Sequence, residues 1–206
     1  MRWWSGAVLL GGFLAAWPAQ ALDDLPGWEA TRWGMTAAEI EAALGDRVAR
    51  LPGRWIYGGA YAELSVPDVE IGGLAFTAYL QMNEATHRLQ QVLLERRRRG
   101  ALPAAFEQVI DALRARYGPP VADCALAKQG GQPLDYEVTW RFASTTLHAK
   151  FLDFSTTAVF SRDPEAELDP LVLERKVRRN LRRFLPRRIL LRFHDAGVAA
   201  LDPGCS

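Results

Sequence analysis

The chain has 206 residues, 49% of them hydrophobic, and a formal net charge of +1 at pH 7. That apolar content excludes a disordered polypeptide, and the near balance of 25 basic and 24 acidic residues excludes a generally nucleic-acid-binding surface. The balance conceals clustering, because arginines gather at Arg96 to Arg99 and again from Arg175 to Arg192.

The first 21 residues carry Arg2, an apolar run from Ala7 to Trp17, and the small-residue site Ala19-Gln20-Ala21. A charged start, apolar middle and A-x-A end describe a secretory signal peptide, and the run is shorter than the ~20 residues of a spanning helix. The expectation is a periplasmic chain that starts at Leu22 after processing, is not transmembrane, and is a monomer. A retained anchor is the alternative. No cysteine lies beside the cleavage site to accept a lipid.

The next element is announced by "RWGMTAAEIEAALG", residues 32–45. Thr36 and Glu39 have the spacing of a capping box, which starts a helix at Ala37, and Met35 and Ile40 that of a hydrophobic staple. Ile40, Ala43 and Leu44 share one helical face, and Gly45 closes it. Trp33 and Gly34 read as an anchored indole and a tight backbone approach, with ligand stacking as the other option. Each residue of the motif has a structural task.

Strand patterns follow in "YAELSVPDVEI", "GLAFTAYLQM" and "HRLQQVLLERR", with Leu74, Phe76, Leu80 and Met82 on one face of the second. A second helix begins at Pro103, carries Phe106, Ile110, Leu113 and Tyr117 as its apolar stripe, and stops at Gly118-Pro119-Pro120. After it come "YEVTWRF", "TLHAKFL" and "TTAVFSR", where Val138, Trp140 and Phe142 alternate. The plan repeats, so the expected fold is α+β. It comprises two consecutive helix-plus-antiparallel-meander units, about 22–100 and 101–163, with helices on one sheet face. Residues 164–206 are expected to form an Arg-rich helical extension.

The motifs "TRWGMTAAEIEAALG" and "ALRARYGPP" resemble those of a group of small bacterial exported proteins of unknown function. That group combines a Trp-Gly-Met-Thr helix start with a Tyr-Gly-x-Pro helix end, here Tyr117 and Gly118. The plan is more distantly similar to β-lactamase-inhibitor-like and outer-membrane-assembly lipoprotein modules. The resemblance implies a non-catalytic binding module; the missing lipid-accepting cysteine and the Arg-rich tail depart from it.

Chemistry-bearing motifs are sparse. His87, His148 and His194 lie at no ligand spacing, so no metal is expected, and the pairs Gly58-Gly59, Gly72-Gly73 and Gly130-Gly131 read as turns, not a nucleotide fingerprint. Asp153 and Asp163 occupy turn-like positions. A hydrolase stays open as an alternative, requiring a pocket that collects His148 with a carboxylate and a hydroxyl. Cys124 and Cys205 are the two cysteines, and in an oxidising compartment they either form a disulfide or remain thiols.

The tail carries the binding candidate. Asp169 and Pro170 suit a helix start, and Leu173, Val177, Leu181 and Phe184 then share a narrow apolar face. Arg175, Lys176, Arg178, Arg179, Arg182 and Arg183 fall opposite. They either meet an envelope protein, anionic lipid or lipopolysaccharide, or form a solvated outer surface. The combined expectation is a non-catalytic periplasmic binding or accessory protein of the bacterial envelope, with no cofactor and no nucleic acid. The alternative to the basic tail is a protein-inhibitor or assembly-factor module that works through a sheet face, which exposed aromatics on that face would favour.

Overall fold

A computed structural model describes residues 24–96, 101–129, 132–153 and 187–198. Among these residues eight strands form one antiparallel sheet: β1 (Ala49–Tyr57), β2 (Ala60–Ile71), β3 (Leu74–Asn83), β4 (Leu89–Arg96), β5 (Ala122–Gln129), β6 (Gln132–Arg141), β7 (Thr145–Asp153) and β8 (Arg187–Asp195). Their order across the sheet is β1-β2-β3-β4-β8-β7-β6-β5. Two helices accompany it among the described residues, α1 (Ala37–Leu44) and α2 (Pro103–Tyr117), and a short 3₁₀ turn, Gly45–Arg47, follows α1.

This arrangement corrects the α+β expectation. The two predicted meanders are not separate units with helices on one face: they share a single sheet that dominates the chain, and the helices are short. The physical reason is β8. Residues expected within a helical extension alternate Ile189, Leu191 and Phe193 inward, and this strand bonds to β4 on one side and β7 on the other. Strands β1 and β5 were not expected and form the two edges. "TTAVFSR" lies outside the described residues.

The core lies on one sheet face. Phe76, Ala78, Leu80 and Met82 of β3 meet Val92 and Leu94, then Ile189 and Leu191, Leu147 and Ala149, and Val138 and Trp140, all buried. The stripe Phe106, Val109, Ile110, Leu113 and Tyr117 of α2 joins the same cluster, with the Phe106 ring 5.8 Å from Phe151 and 5.9 Å from Tyr136. Trp140 is wholly buried, and its indole N–H donates to the Gly118 carbonyl at 2.9 Å. Gly118 has φ 73°, so this residue both ends α2 and presents that acceptor.

The "WGMT" motif is a junction. The capping box forms: Glu39 N–H donates to Thr36 Oγ1 at 3.4 Å, and Thr36 N–H donates to the Glu39 carboxylate at 2.8 Å. Gly34, at φ 83°, donates its N–H to the Leu89 carbonyl at 2.8 Å, while Leu89 N–H donates to Met35 O, also at 2.8 Å. The half-buried Trp33 extends the junction by donating from Nε1 to Thr145 Oγ1 at 2.8 Å. The same hydroxyl donates to the Leu25 carbonyl, and Asp24 accepts from Ser144 N–H at 2.7 Å and Ser144 Oγ at 2.6 Å. Ser144 hydrogen bonds accordingly hold the Asp24 carboxyl below its usual value. The start of the described chain is thus tied to the β6–β7 turn.

Candidate functional site

Strand alternation that sends apolar side chains to the core sends a polar set to the other face. One row across that face runs Ser65, Tyr79, Leu93, Arg192, His148 and Thr139 through β2, β3, β4, β8, β7 and β6. Adjacent rows place Gln81, Gln91, His194 and Thr146 on one side, and Glu95, Leu190, Lys150 and Glu137 on the other. Glu137 is 0% exposed, His148 5% and His194 6%. Burying such groups is costly unless they are paired, and here they pair with one another.

The pairing forms a chain. His148 Nδ1 bonds the Glu137 carboxylate, whose other oxygen lies 3.3 Å from Lys150 Nζ. His148 Nε2 faces His194 Nε2 at 3.1 Å, and His194 Nδ1 faces the Asp195 carbonyl at 2.9 Å. A carbonyl only accepts, so His194 Nδ1 carries a proton. Burial pushes Glu137 up, but the His148 hydrogen bond and Lys150 outweigh it and hold the carboxyl below its usual value, so His148 Nδ1 donates to an ionised group. One proton then lies between the two Nε2 atoms. Burial pushes the His194 imidazole down, and the His148 and Arg192 charges push the same way against the Asp195 carbonyl and carboxylate. The bonds thus account for three protons on the four ring nitrogens, and burial favours the neutral form of His194.

This geometry bears on the hydrolase alternative. His148 does collect a carboxylate and a hydroxyl, but Thr139 Oγ1 sits 3.4 Å from Nδ1, the nitrogen that Glu137 already holds. General-base activation needs carboxylate and nucleophile on opposite ring nitrogens, and here the opposite nitrogen is taken by His194. Two clefts open elsewhere, each about 240 Å³, one edged by Trp28, Glu29, Glu70, Arg116 and Tyr117 and the other by Asp68, Tyr79 and Glu95. Both are smaller than the ~300–1,000 Å³ of small-molecule sites.

The second notable surface is the β1 edge. β1 is exposed along most of its length and, among the described residues, pairs with β2 alone; its register breaks between Arg50 and Trp55. Trp55 is 36% exposed with its ring 5.2 Å from Tyr79, and Ile56 is 65% exposed. Arg47, Arg50 and Arg54 pair with Glu29, Glu41 and Glu63, and in each pair the arginine is the more exposed partner.

Of the residues singled out in the sequence, Trp33, Gly34, Thr36, Glu39 and Gly45 gather at the α1 junction, while Tyr117 and Gly118 end α2. Gly45 has φ 58°, and its N–H donates to the Glu41 carbonyl. Cys124 is in β5 beside Glu137, but Cys205 lies outside the described residues, and so does their pairing. Arg175, Lys176, Arg178, Arg179, Arg182 and Arg183 also lie outside them. No sequence signal joins His148 and His194, 46 residues apart, although alternation in "TLHAKFL" and "ILLRFHD" puts each opposite the apolar positions. No helix among the described residues is long and apolar enough to cross a membrane.

Among the described residues, fold and surfaces together define a single antiparallel sheet with a buried polar network on one face and β1 at one edge. No family model, curated protein or solved structure matches the chain.

Proposed function

We propose that the chain is a non-catalytic, exported binding or accessory protein of the bacterial envelope that engages a protein partner through the free edge of its sheet. The observation that carries this is the exposure of Trp55 and Ile56 on a strand with one neighbour among the described residues. An edge strand offers unpaired amide and carbonyl groups to an added strand, and adjacent apolar side chains supply specificity. Pro52 has no N–H to give, and the register break at 51–54 interrupts generic pairing, which focuses recognition on Trp55 and Ile56. The outward arginines favour a partner segment that is acidic around an apolar centre.

The test is a photoreactive side chain at position 56 of the processed protein in its native envelope, with exposed Glu84 as the control position. A discrete adduct is expected at 56, absent at 84 and lost with Trp55→Ser. Equal labelling at both positions, or an adduct indifferent to Trp55, overturns the edge-strand reading.

A further inference from the structure

The imidazoles of His148 and His194 meet between two strands that must stay paired for the sheet to be continuous. Their Nε2 atoms are 3.1 Å apart, and the rings lie within 10° of parallel with centroids 5.2 Å apart, which places them edge to edge. Each ring's remaining nitrogen is engaged by an acceptor, Glu137 for His148 and the Asp195 carbonyl for His194. The pair therefore has room for one shared proton and no more. A second would aim two N–H groups at each other.

From this geometry we infer that the His148–His194 contact is a single-proton latch between β7 and β8, closed when one imidazole is neutral and opened when solvent protonates both. Among the described residues, the charged groups facing the pair are Glu137 from β6, Lys150 from β7, and Arg192 and Asp195 from β8; β4 contributes the uncharged Gln91. Glu137 already serves both His148 and Lys150, and Asp195 Oδ1 accepts from Gly197 N–H at 2.8 Å. Protonating both rings thus adds positive charge beside Arg192. The location gives the latch its consequence, since β8 is the strand that joins the β1–β4 half of the sheet to the β5–β7 half.

The sign follows from proton binding. The fold prefers His194 neutral, so the unfolded or locally opened state binds the extra proton more readily, and stability is lost as pH falls below the ordinary histidine value of ~6.5. For one linked proton, opening increases about tenfold per pH unit below that value until the folded-state group itself titrates.

The test is hydrogen exchange on the processed wild-type protein between pH 8 and 5, corrected for intrinsic exchange rates. Protection of amides at 147–149 and 191–195 should fall about tenfold per unit below pH ~6.5, while β2 and β3 amides hold. His194→Gln, which keeps an acceptor and cannot be charged, should flatten that dependence. Nitrogen-15 spectra of the wild-type imidazoles give a readout independent of any variant's folding: at pH 7.5 three of the four ring nitrogens of the pair should be protonated. Two doubly protonated rings, two singly protonated rings, or a pH dependence unchanged in His194→Gln overturns the latch.

Discussion

Removing the Thr145 hydroxyl should expose how much of the fold depends on the "WGMT" junction. Thr145 is wholly buried; its oxygen accepts from the Trp33 indole and donates to Leu25. Thr145→Val keeps the shape and deletes both bonds, each contributing about 1 kcal/mol net, with more lost where a partner stays buried and unpaired. The expected cost is about 2–3 kcal/mol. Trp33→Phe deletes one of the same two bonds and should cost about 1–2 kcal/mol. Because the bond is common to both changes, the double variant should be less destabilised than the sum by about 1 kcal/mol. Urea denaturation of the four proteins at pH 7.5 measures this, with unchanged slopes certifying comparable unfolded states. Additivity within about 0.3 kcal/mol would refute a direct indole–hydroxyl link.

Thr36→Ala should cost about 1 kcal/mol in a urea titration and leave photo-crosslinking at position 56 intact. Asp24, held below its usual carboxyl value by Ser144, contributes stability that is present above pH ~3.9 and lost as pH falls below it. The stability difference between wild type and Asp24→Asn should therefore shrink in melts taken from pH 5 down to 3. N-terminal sequencing of the exported product should read Leu22 first; a retained Met1 would end the cleaved-signal expectation. If the tail binds anionic surfaces, glutamine at Arg178, Arg179, Arg182 and Arg183 should weaken co-sedimentation with anionic vesicles. That binding should also fall steeply with salt, since such attraction is screened within about 8–10 Å.

Local structure was readable where a few neighbouring residues decide it. Thr36 and Glu39 cap α1, and the Phe106 to Tyr117 stripe is buried with Gly118 after it, because capping and helical periodicity act over a few residues. The sheet was not readable as a whole, since its continuity rests on β8 pairing with β4 about 100 residues upstream, and period-two alternation names no partner. Arginine density hid the strand further: Arg187, Arg188 and Arg192 read as part of a basic helix until Ile189, Leu191 and Phe193 are seen inward. The histidine pair was lost with it. The β1 edge was obscured because Pro52 and Gly53 look like a loop, and the register break accommodates them within a strand.

The position of β8 also sets an order of events during synthesis. A chain emerging from its N-terminus can form the β1–β4 and β5–β7 stacks separately, but the described strands do not make one continuous sheet until residues 187–195 arrive. Until then β4 and β7 present open edges beside Val92, Leu94, Leu147, Ala149 and Phe151, the kind of surface that pairs with other copies or aggregates. Closing the gap needs long-range pairing, which is slow. A nearly complete chain is consequently the vulnerable species, and truncation just before Arg187 should leave β4 and β7 as sticky edges in halves still linked through α2 and the Trp33–Thr145 bond.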